Sequence, residues 1–252
     1  MRVLVVGAGK MVESIVAGLP ADARSPWGIV SKSGQSAKLL ADKYGLQFCG
    51  NISDFKNPDW ILLGCKPQQI KDIQIPDVPV MSLLAAISEE SQKEILGVSH
   101  LVRVMPNLPV RTRNGVTLIS SSSKALLKTP EELFSKLGLA RTLSEKELEE
   151  LTLLTGSGPA LFYEFAKTLA GSFSSLSDSD RETLVKAVLK GSAAALDEAS
   201  LQSMIDAVTS KGGVTIAVLE EWRKNNLSGV LKTGVDRGMK RTEELKSHLL
   251  QS

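Results

Sequence analysis

A chain of 252 residues, 42% hydrophobic and with 30 basic against 28 acidic residues, has enough apolar material for one large or two smaller domains, which excludes a disordered chain. Its formal net charge of +2 is spread along the sequence with no basic block, which argues against a nucleic-acid partner. Cys49 and Cys65 are the only cysteines, too few for a disulfide framework or a thiolate metal site, so no metal and a reducing, cytoplasmic setting are expected.

The chain opens on RVLVV, an apolar run that reaches Gly7 too soon for a signal peptide, and no later run is long enough to span a membrane. The sequons at Asn51 and Asn226 are therefore read as chance. From residue 2 to about 143, RVLVV, WGIV, LQFC, DWILLG, PVMSLL and LVRVM alternate with amphipathic or polar stretches. That rhythm predicts an α/β domain over 1–146 with a doubly wound parallel sheet. Directly behind the first run stands GAGKMV. Gly7 allows a tight βα turn, Gly9 lets the backbone approach a pyrophosphate, and the helix opened by Lys10 and Met11 offers amide donors and a favourable dipole. Val12 stands where a third small residue usually permits close helix packing. An NAD site would place Asp or Glu at the end of the second strand; Ser31, Lys32 and Ser33 stand there instead. Two hydroxyls and an ammonium suit a 2′-phosphate, so NADP is the expected cofactor.

Two further loops follow later strands, at the carboxyl edge where ligands bind in open α/β sheets. One carries Lys66 and Pro67; the other is Met105-Pro106-Asn107-Leu108-Pro109. After SEKELEE at 144–150 the strand pattern ends, and 147–252 is expected to be an all-helical domain. There GSGPALFYEF interrupts a helical pattern at Gly156 and Gly158 and restarts it at Pro159. The stretch ETLVKAVLKGSAAALDEA carries Leu184, Val185, Val188, Leu189, Ala195 and Leu196 on an apolar face too wide for a solvated helix. Such a face implies burial against another subunit, hence at least a homodimer. Finally VTSKGGVTIAVLEEW places Ser210, Lys211, Gly212, Gly213 and Thr215 at a helix start. Two readings stand for it: a second anion site built like the first, or a plain capped helix.

Taken together, GAGKM at 7, LLGCKPQQI at 62, SLLAAIS at 82, RVMPNLP at 103, LTGSGPA at 154, VTSKGGVTIAVLE at 208 and RTEEL at 241 resemble, in family order, the motifs of pyrroline-5-carboxylate reductases. The resemblance covers nearly the whole chain. It implies a Rossmann-type domain, a helical dimerisation domain interlocked with a second subunit, and NADPH-dependent reduction of a cyclic imine to proline. It further implies that Ser210 and the amides after Gly212 and Gly213 hold the substrate carboxylate, that Thr215 supports the ring nitrogen or a nearby water as the catalytic residue, and that Asn107 helps to place the nicotinamide; Lys211 is a further candidate substrate-binding residue from its place in the same loop. Leu108, Leu161, Lys167 and Lys211 depart from the family's usual Thr, aromatic, acidic and Pro residues.

The residue inventory agrees with imine chemistry. Reduction of a ketone leaves an alkoxide that needs a proton donor, whereas a protonated pyrroline yields a neutral amine. His100 and His248 are the only histidines, and neither lies in a motif. Rival readings are a β-hydroxy-acid reductase with Lys167 or Lys186 as its acid, and an NADP-binding protein without turnover.

Overall fold

The structure, a computed structural model, describes residues 1–196 and 199–251, with side chains through 247. Eight strands form one sheet: β1 Val3–Val6, β2 Gly28–Val30, β3 Gln47–Phe48, β4 Trp60–Leu63, β5 Val80–Ser82, β6 Leu101–Pro106, β7 Gly115–Ser120 and β8 Gly138–Thr142. Their order is β3-β2-β1-β4-β5-β6-β7-β8, parallel throughout except for the antiparallel pair β6 and β7. Each apolar run singled out in the sequence is a strand. GVTLIS and GLART, which were not among them, extend the sheet beyond β6.

β1, β2, β4, β5 and β6 are buried along their whole length, because both faces of the sheet are covered and alternation therefore disappears. On one face Val3, Val5, Ile29 and Leu62 pack with Val12, Ile15 and Val16 of α1 (Lys10–Gly18). The same cluster takes in Ala37, Leu40 and Ala41 of α3 (Gln35–Tyr44), which follows the short α2 (Ala21–Arg24). On the other face Leu4, Val6, Ile61 and Leu63 meet Ile70 and Leu96, the latter from α4 (Glu89–Leu96). β1 lies between β2 and β4, so the crossovers leave it in opposite directions. A crevice opens there, at the carboxyl ends of the strands.

The chain divides into two compact units, residues 1–157 with 239–252, and residues 158–238. The last strand ends at Thr142, close to the expected change of pattern at 146, but the compact division falls later for a physical reason. After α5 (Lys128–Ser135), α6 (Glu145–Thr152) packs on the sheet, with Leu148 fully buried beside Met105 and Leu118. The end of the chain joins the same unit, where Lys246 Nζ reaches Glu149 Oε2 at 2.8 Å. The interruption expected at Gly156 is a π-turn, Leu153–Ser157, from which α7 (Gly158–Gly171) continues without a break.

The second unit holds α7, α8 (Asp178–Ala194), α9 (Leu201–Ala207), α10 (Val214–Lys224) and the first part of α11 (Leu227–Gln251). Ser177 caps α8 through Asp180 N, so this helix begins before the stretch ETLVKAV and ends at Ala194. Ala195 and Leu196 thus follow the helix, a correction to the expected apolar face, and Asp197 and Glu198 lie outside the described residues. Leu184 is 55% and Val188 64% exposed. Among the described residues of this unit only Gly158 and Ala166 are buried. No helix among the described residues is long and apolar enough to cross a membrane.

Candidate active site

The turn from β1 into α1 is built on glycine for two separate reasons. Gly7 has φ +115°, which side chains rarely adopt, and a Cβ there would lie 2.5 Å from the Gly64 carbonyl oxygen. Its amide donates to Val30 O at 2.8 Å, tying the ends of β1 and β2 together. Gly9 is the N-cap of α1 and contributes no side-chain cap; a Cβ there would meet nothing within 4 Å. The first-turn amides, beginning with Lys10 and Met11, therefore face open space at the positive end of the helix. Val12, where a small residue was expected, is buried and packs against Gly64, whose own Cβ would stand 2.3 Å from Val12 Cγ2. The close helix-to-strand approach is kept, with its glycine moved from the helix to the end of β4.

At the end of β2, Ser31 Oγ is buried without a hydrogen-bond partner among the described residues, so its hydrogen-bonding capacity is unspent, as suits a neighbour of a ribose hydroxyl or phosphate oxygen. Lys32 is exposed and faces Asp72 Oδ2 at 3.7 Å. A surface pair of this kind contributes about 0–1 kcal/mol, so a phosphate can replace it. Asp72, absent from the expected set, closes the 3-10 turn Pro67–Asp72 that follows Lys66. Ser33 Oγ bonds Ser36 Oγ at 2.8 Å. Lys66 is exposed, and its amide donates to Gln69 Oε1 at 3.1 Å, fixing the turn started by Pro67. The neighbouring Cys65 thiol is pushed up to about 11 by burial, so it stays protonated and is no nucleophile.

Asn107, at the carboxyl end of β6, is buried, and both ends of its side chain are engaged. Oδ1 accepts from Val116 N at 2.8 Å and Nδ2 donates to Thr155 O at 3.0 Å in the π-turn. Contact with a nicotinamide is left to the second amide hydrogen and the second lone pair. Four residues earlier, Arg103 is 2% exposed. Its Nη1 lies 2.6 Å from Glu145 Oε1 and 3.0 Å from Glu149 Oε1. Burial pushes the Glu149 carboxyl up, but hydrogen bonds from Lys246 and Arg103 outweigh it and hold the group below the usual range. The same charges fix α6 against β6. Sequence reading missed this network; its one local signal was an Arg inside an apolar strand followed by glutamates at 145 and 149, one helical turn apart.

The helix start at 213 repeats the geometry of the first loop. Gly213 caps α10 at φ −80°, ψ 173°, against −81°, 174° for Gly9, and neither helix has a side-chain cap. Gly213 N closes a turn onto Ser210 O at 3.0 Å, with Lys211 and Gly212 between them. Gly212 sits at φ +72°, which that position of the turn requires. A Cβ on Gly213 would lie 2.4 Å from Ser210 Oγ, a hydroxyl that would have to rotate away, and 3.1 Å from Ser210 O. Thr215 is exposed in the first turn and does not cap it, and Gly213 holds the N-cap, a geometry that an anion site and a plain glycine-capped helix share. Lys211 is exposed. Among the rival acids, Lys167 is exposed beside Glu164, at 3.9 Å, and Lys186 pairs with Glu182. His100 precedes β6 at the opposite end of the strand from the crevice, and His248 lies outside the described side chains.

A doubly wound sheet whose first helix starts on uncapped glycine, joined to a helical unit with almost no core of its own, defines the class of dinucleotide-binding oxidoreductases with a separate helical domain. Residues 2–76 match the family model of coenzyme F420-dependent NADP oxidoreductases, and residues 145–245 the pyrroline-5-carboxylate reductase dimerisation model. The pyrroline-5-carboxylate reductase of Aquifex aeolicus is 28% identical over 258 residues, covering 97% of both chains. That of Pisum sativum is 28% identical over 257 residues, covering 95% of this chain and 94% of its own. Among solved structures, the Streptococcus pyogenes enzyme matches at TM-score 0.84 and 26% identity, covering 97% of this chain and 98% of that one. A pyrroline-5-carboxylate reductase from Coxiella burnetii matches at 0.85 and 25%, covering 96% and 97%. Over nearly its whole length the chain is therefore similar to pyrroline-5-carboxylate reductases, and its helical part matches that family's dimerisation model.

Proposed function

We propose that this protein reduces 1-pyrroline-5-carboxylate to L-proline with NADPH, as a cytoplasmic homo-oligomer. The observation that carries the reading is the pair of matching, uncapped glycine helix starts at Gly9 and Gly213 in a chain similar to this family. One suits the cofactor pyrophosphate and the other the substrate carboxylate. The first site fits NADP in its own chemistry: open space in front of Gly9, an orphaned Ser31 hydroxyl, and the Lys32 cation for the 2′-phosphate. When bound, NADPH supplies the hydride that adds to the imine carbon.

The residues of the chain bind and orient. The amides at Lys10 and Met11 receive the pyrophosphate, while Ser31, Lys32 and Ser33 receive the 2′-phosphate. Lys66 and Pro67 stiffen the loop at the end of β4. At the second helix start, Ser210 and the amides after Gly212 and Gly213 hold the carboxylate, and Lys211 adds a positive charge beside it. The imine nitrogen arrives protonated and leaves as a neutral secondary amine, so Thr215 needs only to accept a hydrogen bond from the ring N–H. Rate enhancement then comes from orientation and from the fixed field of the helix start. The test is NADPH oxidation followed with pyrroline-5-carboxylate, a panel of other cyclic imines, and NADP reduction with β-hydroxy acids. Turnover of the pyrroline is the expected result; hydroxy-acid oxidation alone, or NADPH binding without turnover, overturns the proposal.

A further inference from the structure

We propose that Asn107 is a positioning residue, acting on the reaction by clamping the π-turn Leu153–Ser157 to the sheet rather than by touching substrate or cofactor. This rests on the function proposed above. Asn107 is 5% exposed. Its main-chain N–H donates to Val116 O at 3.1 Å and its carbonyl accepts from Val110 N at 3.2 Å, so its backbone is fixed from both sides. The amide orientation is settled by its partners: Val116 N needs an acceptor at 2.8 Å, and Thr155 O needs a donor at 3.0 Å. Only a side-chain amide of this length offers both at once. A carboxylate would keep the first bond and set an oxygen against the Thr155 carbonyl.

The clamped segment has little else to fix it. A π-turn is a rare helical form, found mostly as single turns inside α-helices and often at functional sites. A Cβ at Gly156 would meet only Thr152 Cγ2, at 3.8 Å, and one at Gly158 nothing within 4 Å. Thr155 Oγ1 bonds back to Leu151 O and so ties the turn only to its own helix. Asn107 is the one side chain among the described residues that bonds a backbone group of the turn from outside. Its place matters because β6 ends there, in the half of the sheet that takes the second mononucleotide when the first lies over β1 to β3. A wall of that half displaced by a fraction of an ångström spoils the approach of the reacting atoms while the distant phosphate contacts remain.

The experiment compares wild type with Asn107→Asp, and with Asn107→Ser should the first fail to fold, by backbone hydrogen exchange on the cofactor-free protein, NADPH titration and steady-state kinetics. Exchange in 153–157 is expected to rise at least about tenfold, kcat to fall about 10- to 100-fold, and the NADPH dissociation constant to stay within about twofold. Unchanged exchange in the turn overturns the clamp. A loss of NADPH affinity matching the loss of kcat overturns the indirect action and makes Asn107 a cofactor ligand. Should wild type fail to turn over pyrroline-5-carboxylate, the proposed function falls, while the exchange measurement still decides the clamp.

Discussion

Thr215 and Lys32 show how a single side chain is assigned by what it does not bond. Thr215 Oγ1 is not the cap of α10, because Gly213 holds the N-cap position and the helix has no side-chain cap. A hydroxyl placed in the first turn beside uncapped amides is free for a ligand. Thr215→Ala is therefore expected to lower kcat by about 10- to 100-fold, the scale of one hydrogen bond to a charged group, and to leave NADPH affinity unchanged because the cofactor phosphates lie on the other loop. Wild-type kinetics from a folded Thr215→Ala enzyme would remove the hydroxyl from the mechanism. Lys32 already has a partner, Asp72 at 3.7 Å, but an exposed pair of this kind yields readily to a doubly charged phosphate. Lys32→Ala is expected to cut the preference for NADPH over NADH by about tenfold, measured by calorimetric titration of both nucleotides. Equal preference in variant and wild type would leave Ser31 and Ser33 as the discriminating groups.

At the level of elements, α1 and β4 show one packing requirement met in an unexpected place. Close approach of helix and strand needs a missing side chain on one of the two, and here Gly64 provides it while Val12 fills the space. Gly64→Ala should destabilise the protein by about 1–3 kcal/mol through overpacking against a stiff, buried Val12, and adding Val12→Ala should recover at least half of that in a denaturation series. Additive losses in the double variant would show that the two residues do not share the space. Local chemistry of this kind was half legible in the sequence. The five core strands β1, β2, β4, β5 and β6 announced themselves as largely apolar runs because both faces of the sheet are covered there, and β3, two exposed residues, was legible from the rhythm of the chain rather than from burial. β8 was not, since its residues alternate between exposed and half-buried positions and include Arg141. The glycines at 7, 9, 212 and 213 marked both helix starts: positive φ acts on Gly7 and Gly212 themselves, whereas Gly9 has an ordinary φ and nothing within 4 Å of a Cβ, and stands out only by the room it leaves at the helix start. Asp72 on Lys32, the Asn107 bond to Thr155 and the Arg103 network join residues 40 or more positions apart, and no local pattern records which partner the fold will bring. The π-turn was invisible for another reason: GSG signals an interruption, but only the hydrogen-bond register separates a break from a widened turn.

For the whole molecule, the deciding fact is that residues 158–238 form a compact unit with almost nothing buried. Phe162 is 63%, Leu184 55%, Val188 64% and Leu231 59% exposed, and apolar surface on that scale in a helical unit is the surface of an interface. The dimerisation model covers 145–245, so the missing half of this core is supplied by a second copy of the chain. Folding of the helical unit and assembly should then be one event, and the midpoint of thermal unfolding should rise with protein concentration, as it does when the partner binds only the folded form. Light scattering at micromolar concentration should give at least twice the mass of one chain. The double substitution Leu184→Glu with Val188→Glu places two charges on the face of α8 without altering any residue of the sheet, and it should yield a monomer that has lost helical signal but still binds NADPH. Retention of full helicity by that monomer would mean that the second unit is stable alone. A monodisperse wild-type monomer with a concentration-independent midpoint would go further and require this face to be solvated in the native protein.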